Sequence, residues 1–259
     1  MTQTPFLLRA GAAFLAIAAL PTAALAEGPY IGLSGGLVLP EDSSNEGEFT
    51  STVPATDDFG AIDAGTPLGW ETEFDNGFAI NGQVGYAFEN GLRVELEGSF
   101  TQYDVSTHSG LFVGSDVIDA VDSAVLTRGP ADEANPTVGA VIADGQGEVS
   151  TFGLFGNVFY DIQTGSGFKP YVGAGAGFQS VDVEYIPSGV DIADDSDGVF
   201  AFQLMAGASI ELGERFELFG QYTYRDAFED AEVDLNLLPA QLGIESAQSI
   251  ISAGVRVKL

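Results

Sequence analysis

The stretch Phe200-Ala201-Phe202-Gln203-Leu204-Met205-Ala206-Gly207-Ala208-Ser209-Ile210-Glu211-Leu212 reads with a period of two. Phe200, Phe202, Leu204, Ala206, Ala208, Ile210 and Leu212 form an apolar set, while Ala201, Gln203, Met205, Gly207, Ser209 and Glu211 between them are small or mostly polar. Alternation of this kind puts the two sets on opposite faces of a β-strand. Soluble strands usually run to about five or six residues. The 13 residues here suit a tilted crossing of a bilayer. After Gly213-Glu214-Arg215 the pattern resumes: Phe216, Leu218, Gly220, Tyr222 and Tyr224 alternate with Glu217, Phe219, Gln221, Thr223 and Arg225, which predicts a hairpin with a tight turn.

The same grammar recurs along the chain. Phe78, Ile80, Gly82, Val84, Tyr86 and Phe88 oppose Asn81, Gln83 and Gly85; across Glu89-Asn90-Gly91, Leu92, Val94, Leu96, Gly98 and Phe100 oppose Arg93, Glu95, Glu97, Ser99 and Thr101. A third hairpin joins Phe152, Leu154, Gly156, Val158 and Tyr160 to Val172, Ala174, Ala176 and Phe178 through Thr164-Gly165-Ser166-Gly167. Ile31, Leu33, Gly35, Leu37 and Leu39 give a first strand, and Ile251, Ala253, Val255, Val257 and Leu259 a last one. Eight strands result, with both ends of the domain on one side. Charges at every second position beside an unbroken apolar set are what a lipid-facing exterior and a polar lumen require. Three tight turns alternate with long segments of roughly 40–73, 105–147, 180–198 and 226–246, the asymmetry of short periplasmic turns and long outer loops. The expected fold is all-β: an eight-stranded antiparallel up-and-down transmembrane β-barrel with four long acidic extracellular loops. Ten strands result instead if Thr137 to Ala143 pairs within the second long segment. Ile118, Val121 and Val125 suggest a short helix there, over the lumen mouth.

Met1 to Ala26 has one charge, Arg9, an apolar run from Ala10 to Leu20, then Pro21 and the small-x-small Ala24-Leu25-Ala26 before Glu27. That is the pattern of a cleaved secretory signal, so the expected division is a leader at 1–26 and a barrel domain at 27–259. No later stretch offers the ~18 uncharged apolar residues of a spanning helix.

Composition narrows function. Eight Lys and Arg stand against 38 Asp and Glu, a net charge of −30, which excludes a nucleic-acid partner because phosphate neutralisation needs clustered cations. The chain has no Cys and one His, removing disulfides, thiol nucleophiles and Cys-based metal sites.

Several phrases resemble the small outer-membrane β-barrel family of Gram-negative bacteria, which includes the OmpA membrane domain and the opacity-type and porin-like surface proteins. They are Leu92-Arg93-Val94-Glu95-Leu96-Glu97-Gly98, Gly156-Asn157-Val158-Phe159-Tyr160-Asp161, Lys169-Pro170-Tyr171-Val172-Gly173-Ala174-Gly175, Phe202-Gln203-Leu204, Ala206-Gly207 and Gly254-Val255-Arg256. The resemblance implies an outer-membrane location, with lipid, lipopolysaccharide and the barrel-assembly machinery as partners. No cofactor and no enzymatic activity are expected. Ser252, Gly254, Val257 and Leu259 resemble the family's insertion signal, Leu259 departing from the usual terminal aromatic.

On this facing the lumen holds Arg93, Arg225, Arg256 and Lys258 against Glu95, Glu97, Asp161, Glu211 and Glu217. Near-balance within so acidic a chain points to an ion-pair network that plugs the lumen; the alternative is a narrow cation-preferring path gated by Glu95, Glu97, Arg225 and Arg256. The acids concentrate elsewhere: 10 lie in 40–75, 8 in 104–148, 6 in 182–197 and 6 in 226–245. Such a field would repel anions and concentrate cations, making divalent cations or extracellular surface ligands further candidate partners. Asp191, Asp194, Asp195 and Asp197 are its densest group, a weak metal candidate without the later Glu of a calcium loop. The single histidine, His108, would share a strand face with Ser106 and Asp104, but at a frayed end it is expected to be solvated rather than catalytic. The functional expectation is a structural or surface-interaction barrel, with the narrow channel as the alternative.

Overall fold

The computed structural model describes residues 28–259; the leader expected at 1–26 lies outside the described residues. Thirteen antiparallel strands form the structure: β1 (Gly28–Pro40), β2 (Ser43–Phe49), β3 (Pro67–Phe74), β4 (Gly77–Ala87), β5 (Leu92–Val113), β6 (Asp116–Val117), β7 (Gly147–Asp161), β8 (Phe168–Tyr185), β9 (Ala193–Leu212), β10 (Phe216–Ala227), β11 (Ala231–Asp234), β12 (Ala240–Ile244) and β13 (Gln248–Lys258). Eight of them close a ring. β1 pairs with β4, β4 with β5, and β5, β7, β8, β9, β10 and β13 follow in turn. β13 then returns to β1, from Tyr30 opposite Lys258 to Pro40 opposite Gln248.

The outer face of this ring is greasy. Ile31, Leu33, Leu37, Ile80, Val94, Leu154, Val158, Val172, Leu204, Ile210, Leu218, Ile251 and Val255 are all exposed there. Aromatic residues border the band, Phe78, Phe152, Phe178 and Phe200 towards the long connections and Tyr160, Phe168 and Phe216 beside the turns. Aromatic girdles flanking an apolar band are the mark of a bilayer-embedded barrel.

The long connections are not the free loops expected from the sequence. β2, β3, β6, β11, β12 and the upper ends of β5, β8 and β9 build a second tier on the ring. Its polarity is inverted. Along β8, Val172, Ala174, Ala176 and Phe178 face outward in the ring; beyond Gln179 the inward residues become Val181, Val183 and Tyr185, and Asp182 faces out. In β2 and β3, Phe49, Leu68, Trp70 and Thr72 turn inward while Glu46, Glu48, Glu71 and Glu73 turn outward. The interior of the tier is a hydrophobic core, as in a water-soluble protein. Between β9 and β11 no backbone ladder forms. Instead Asp197 accepts the Glu232 backbone N–H and Asp195 accepts that of Asp234.

The segment 137–143 does not supply a ninth and tenth strand. Thr137 caps a helix, accepting the Ala140 N–H, and α2 (Val138–Ile142) follows with Val138, Val141 and Ile142 buried. The Ser/Thr N-cap competes with strand pairing and wins once three apolar side chains reach the core. α1 (Ala124–Thr127) is a single turn; Ile118, Val121 and Val125 do pack on the core beneath it.

Leu33→Arg, at mid-height of the outer band, is expected to destabilise the folded barrel by about 2–4 kcal/mol, measured by urea unfolding in lipid vesicles. Glu232→Arg, on the outward face of the second tier, should change the same midpoint by less than about 0.5 kcal/mol.

Candidate functional site in the barrel lumen

The inward residues of the ring stack in layers. At the turn end, Lys169 and Lys258 both reach Glu211 Oε1, at 3.0 and 2.9 Å. Above them Arg256 pairs with Glu217 at 2.6 Å. Arg93 bridges Asp161 at 3.2 Å and Glu95 at 3.3 Å, and the Tyr30 hydroxyl donates to Glu95 at 2.6 Å. Higher still, Arg225 pairs with Glu97 at 3.3 Å while donating to Gln203 Oε1 and Ser99 Oγ. Gln203 in turn donates to Glu97 and Asn157.

Every lumen residue singled out from the sequence therefore lies inside the ring and has a partner of opposite sign. Lys169 joins them without having been singled out, because the apolar pattern of its strand starts only at Val172. The same alternation, carried back from Tyr171 across Pro170, reaches it. With Lys169, five cations and five carboxylates pair in the interior among the described residues. Arg225 is 1% exposed and Glu97 3%, so the pair is cut off from both mouths. Breaking such a pair leaves an uncompensated buried charge.

The arginines are also clamped by rings. Arg93 lies 4.1 Å from the Phe159 ring centre, Arg225 4.3 Å from Phe155 and Arg256 3.9 Å from Phe219, all within cation–π range. Inward glycines make room for these rings. A Cβ on Gly173 would stand 2.3 Å from Phe159, and one on Gly254 2.6 Å from Phe219.

The acidic quartet does not converge. Asp195 and Asp197 are spent on the β9–β11 seam, Asp191 accepts from Asn236 Nδ2, and Asp194 lies opposite Glu184. Among the described residues no group of three or more His, Cys, Asp or Glu side chains is placed to hold a metal ion. Ser252, Gly254, Val257 and Leu259 occupy β13 and the residue after it, with Leu259 75% exposed.

His108 departs most from expectation. A bulge in β5 opposite Glu73 and Phe74 shifts the alternation by one residue. Asp104 and Ser106 keep the outward parity of the strand, whereas His108 turns inward, 3% exposed, with Nδ1 2.8 Å from Thr72 Oγ1. Among the described residues, Asp104, Ser106 and His108 are not brought together. Burial pushes the His108 imidazole down to about 4, against a smaller upward pull from Asp144. The unfolded chain takes up this proton near pH 6.5, the folded chain only near 4. Between these values the unfolded state binds more protons, so the contribution is complete above pH 6.5 and shrinks as pH falls to 4, by about 3 kcal/mol in all. Urea unfolding of His108→Phe should show an acid-side loss smaller by that amount.

The sequence model of the outer membrane protein beta-barrel domain matches residues 10–256. A protein of Gluconacetobacter diazotrophicus named "Outer membrane protein" is 29% identical over 209 residues, which cover 76% of this chain and 46% of the relative. The chain thus spans about half the length of that curated relative. Among solved structures, the outer membrane protein OprG from Pseudomonas aeruginosa aligns with a TM-score of 0.54 at 15% identity, over 90% of this chain and 96% of OprG. Neisserial surface protein A aligns at a TM-score of 0.44 and 16% identity, over 90% of this chain and 98% of that one. The likeness to OprG is one of fold. With the family match running over nearly its whole length, the chain belongs to the outer membrane protein beta-barrel domain family, proteins of the bacterial outer membrane.

Proposed function

We propose that this is a non-conducting structural and surface-interaction barrel, with its tight turns in the periplasm and its second tier outside the cell. The observation that carries the reading is the Arg225–Glu97 pair, buried at mid-lumen and braced by Gln203, Ser99 and Phe155. An ion crossing the lumen would have to separate a pair of opposite charges that water does not reach, at a cost of several kcal/mol. Above this plug the lumen runs into an apolar core, which is a second barrier to ions. Outward-facing acids such as Glu46, Glu48, Glu71 and Glu73 give the tier a surface that repels anions and attracts cations and cationic ligands. Lipid and lipopolysaccharide surround the apolar band, and Ser252, Gly254, Val257 and Leu259 serve as the signal read by the assembly machinery.

Planar-bilayer recording of the refolded protein should show no discrete conductance steps. Cation-selective steps from the unaltered chain would overturn the reading in favour of a narrow channel. Arg225→Met should cost about 3–5 kcal/mol by stranding Glu97, and adding Glu97→Leu should restore much of that loss, as read by a double-mutant cycle in urea.

A further inference from the structure

Along the seam between β9 and β11, direct backbone bonds form only at the two ends. Phe228 N–H donates to the Phe200 carbonyl at 2.8 Å, and Asn236 N–H donates to the Ile192 carbonyl at 2.8 Å. Both bonds belong to one antiparallel register, in which Asp195 stands opposite Val233, Ser196 opposite Glu232 and Asp197 opposite Ala231. Between them the strands form no ladder, and side chains occupy the gap. Asp195 accepts the Ser196 N–H on Oδ1 at 2.8 Å and the Asp234 N–H on Oδ2 at 3.1 Å. Asp197 accepts the Gly198 N–H on Oδ1 at 2.7 Å and the Glu232 N–H on Oδ2 at 3.1 Å.

The parity of β9 accounts for this. Ala193 and Val199, which bracket the two aspartates at the same parity, are buried in the core. On β8, Val183 lies opposite Asp195 and Val181 opposite Asp197. These valines are fully buried, as are Val233 and Ala231 across the seam. A direct ladder would therefore set two carboxylates on an apolar face, where an ion is costly. The ionised side chains step sideways into the seam instead, and four backbone N–H groups meet them there. That arrangement needs the charge: an ionised carboxylate accepts at both oxygens, whereas protonation turns one oxygen into a donor that would confront an N–H.

The groups that face the seam give the carboxylates no counter-charge. β8 presents Asp182 and Glu184, with Glu148 of β7 behind them. Asp191 and Asp194 lie at the upper end of β9, and Glu232 and Asp234 on β11. Tyr185, beside Ala193, is buried in the core. At the foot of the seam, Glu46, Glu48, Glu229 and Asp230 join Asp197 around a groove of about 960 Å³. Segments 180–199 and 226–247 contain no Lys, Arg or His.

We propose that the β9–β11 seam is a proton-operated clasp: ionised Asp195 and Asp197 wedge the strands apart, and their neutralisation lets β9 and β11 zip into a direct ladder. The register needed is already set by the bonds at both ends, so zipping requires no slippage of either strand. It draws together Asp197 and Glu232, which stand on opposite sides of the seam, and so narrows the acidic groove at its foot. The clasp lies outside the ring and does not depend on whether the lumen conducts.

The full chain, ¹³C,¹⁵N-labelled and refolded in lipid nanodiscs, is read by the Hα–Hα contacts of Asp195 with Val233 and of Asp197 with Ala231. In a direct ladder these are the narrow, non-hydrogen-bonded pairs, with Cα atoms about 4.5 Å apart. In the unaltered chain both contacts are expected to be absent at about pH 7.5 and to appear as the medium is brought to about pH 4, where aspartates in general begin to take up protons. Asp195→Val/Asp197→Val, which matches the parity of the core, should show both contacts already at about pH 7.5. Contacts in the unaltered chain at neutral pH, their absence in acid, or a variant that folds without them would each overturn the proposal. The variant separates the clasp from the acid response of His108, and the acid series on the unaltered chain decides the matter if the variant does not fold.

Discussion

Backbone N–H and C=O groups have no water to bond with inside hydrocarbon, so a sheet can cross a bilayer only if it has no edge. Here that condition rests on one junction, between β1 and β13, which lie at opposite ends of the described chain and pair from Tyr30–Lys258 to Pro40–Gln248. All other neighbours in the ring are joined by connections of the chain itself; this pair must find each other in space. Once they do, each strand acquires a definite inside and outside. The lipid-facing Leu33 and Ile251 and the lumen-facing Arg256 and Ser34 all depend on it.

Closure creates an interior too narrow for bulk water and too polar for a hydrocarbon core. The chain fills it with a repeated unit in which a glycine on one strand makes room for an aromatic ring on the next, and an arginine lies on that ring. The guanidinium then has its charge met by a carboxylate and its flat face met by a π-system, so neither surface of the group is left bare. Asp161, Glu95, Glu97 and Glu217 are spaced around the wall to supply the anions.

Much of this is legible in the sequence. Eight long alternating runs define the ring, and the parity of each run places Arg93, Glu97, Arg225 and Arg256 inside. The second tier is hidden because its alternating sets are short and its acids look like loop composition. Ala231-Glu232-Val233-Asp234 has the period of a strand, but four residues carry little weight against a run of carboxylates. His108 is illegible for a different reason. Its orientation is set by a bulge, one extra residue without a signature in the local sequence, and past that point simple parity gives the wrong face. Asp195 and Asp197 have the look of ligands in waiting, yet they stand in for the backbone acceptors that β9 lacks along the seam with β11.

The inversion of polarity along β5 and β8 has a consequence for fidelity. In an ordinary half-buried sheet, slipping one strand by one residue swaps a single pair of faces. In β8 the same slip would push Gln179 towards the oil while turning Val181, Val183 and Tyr185 out to solvent and Asp182 into a greasy core. Two unlike solvents thus proofread one alignment from both halves of the strand, and an error tolerable to either alone is rejected by the other.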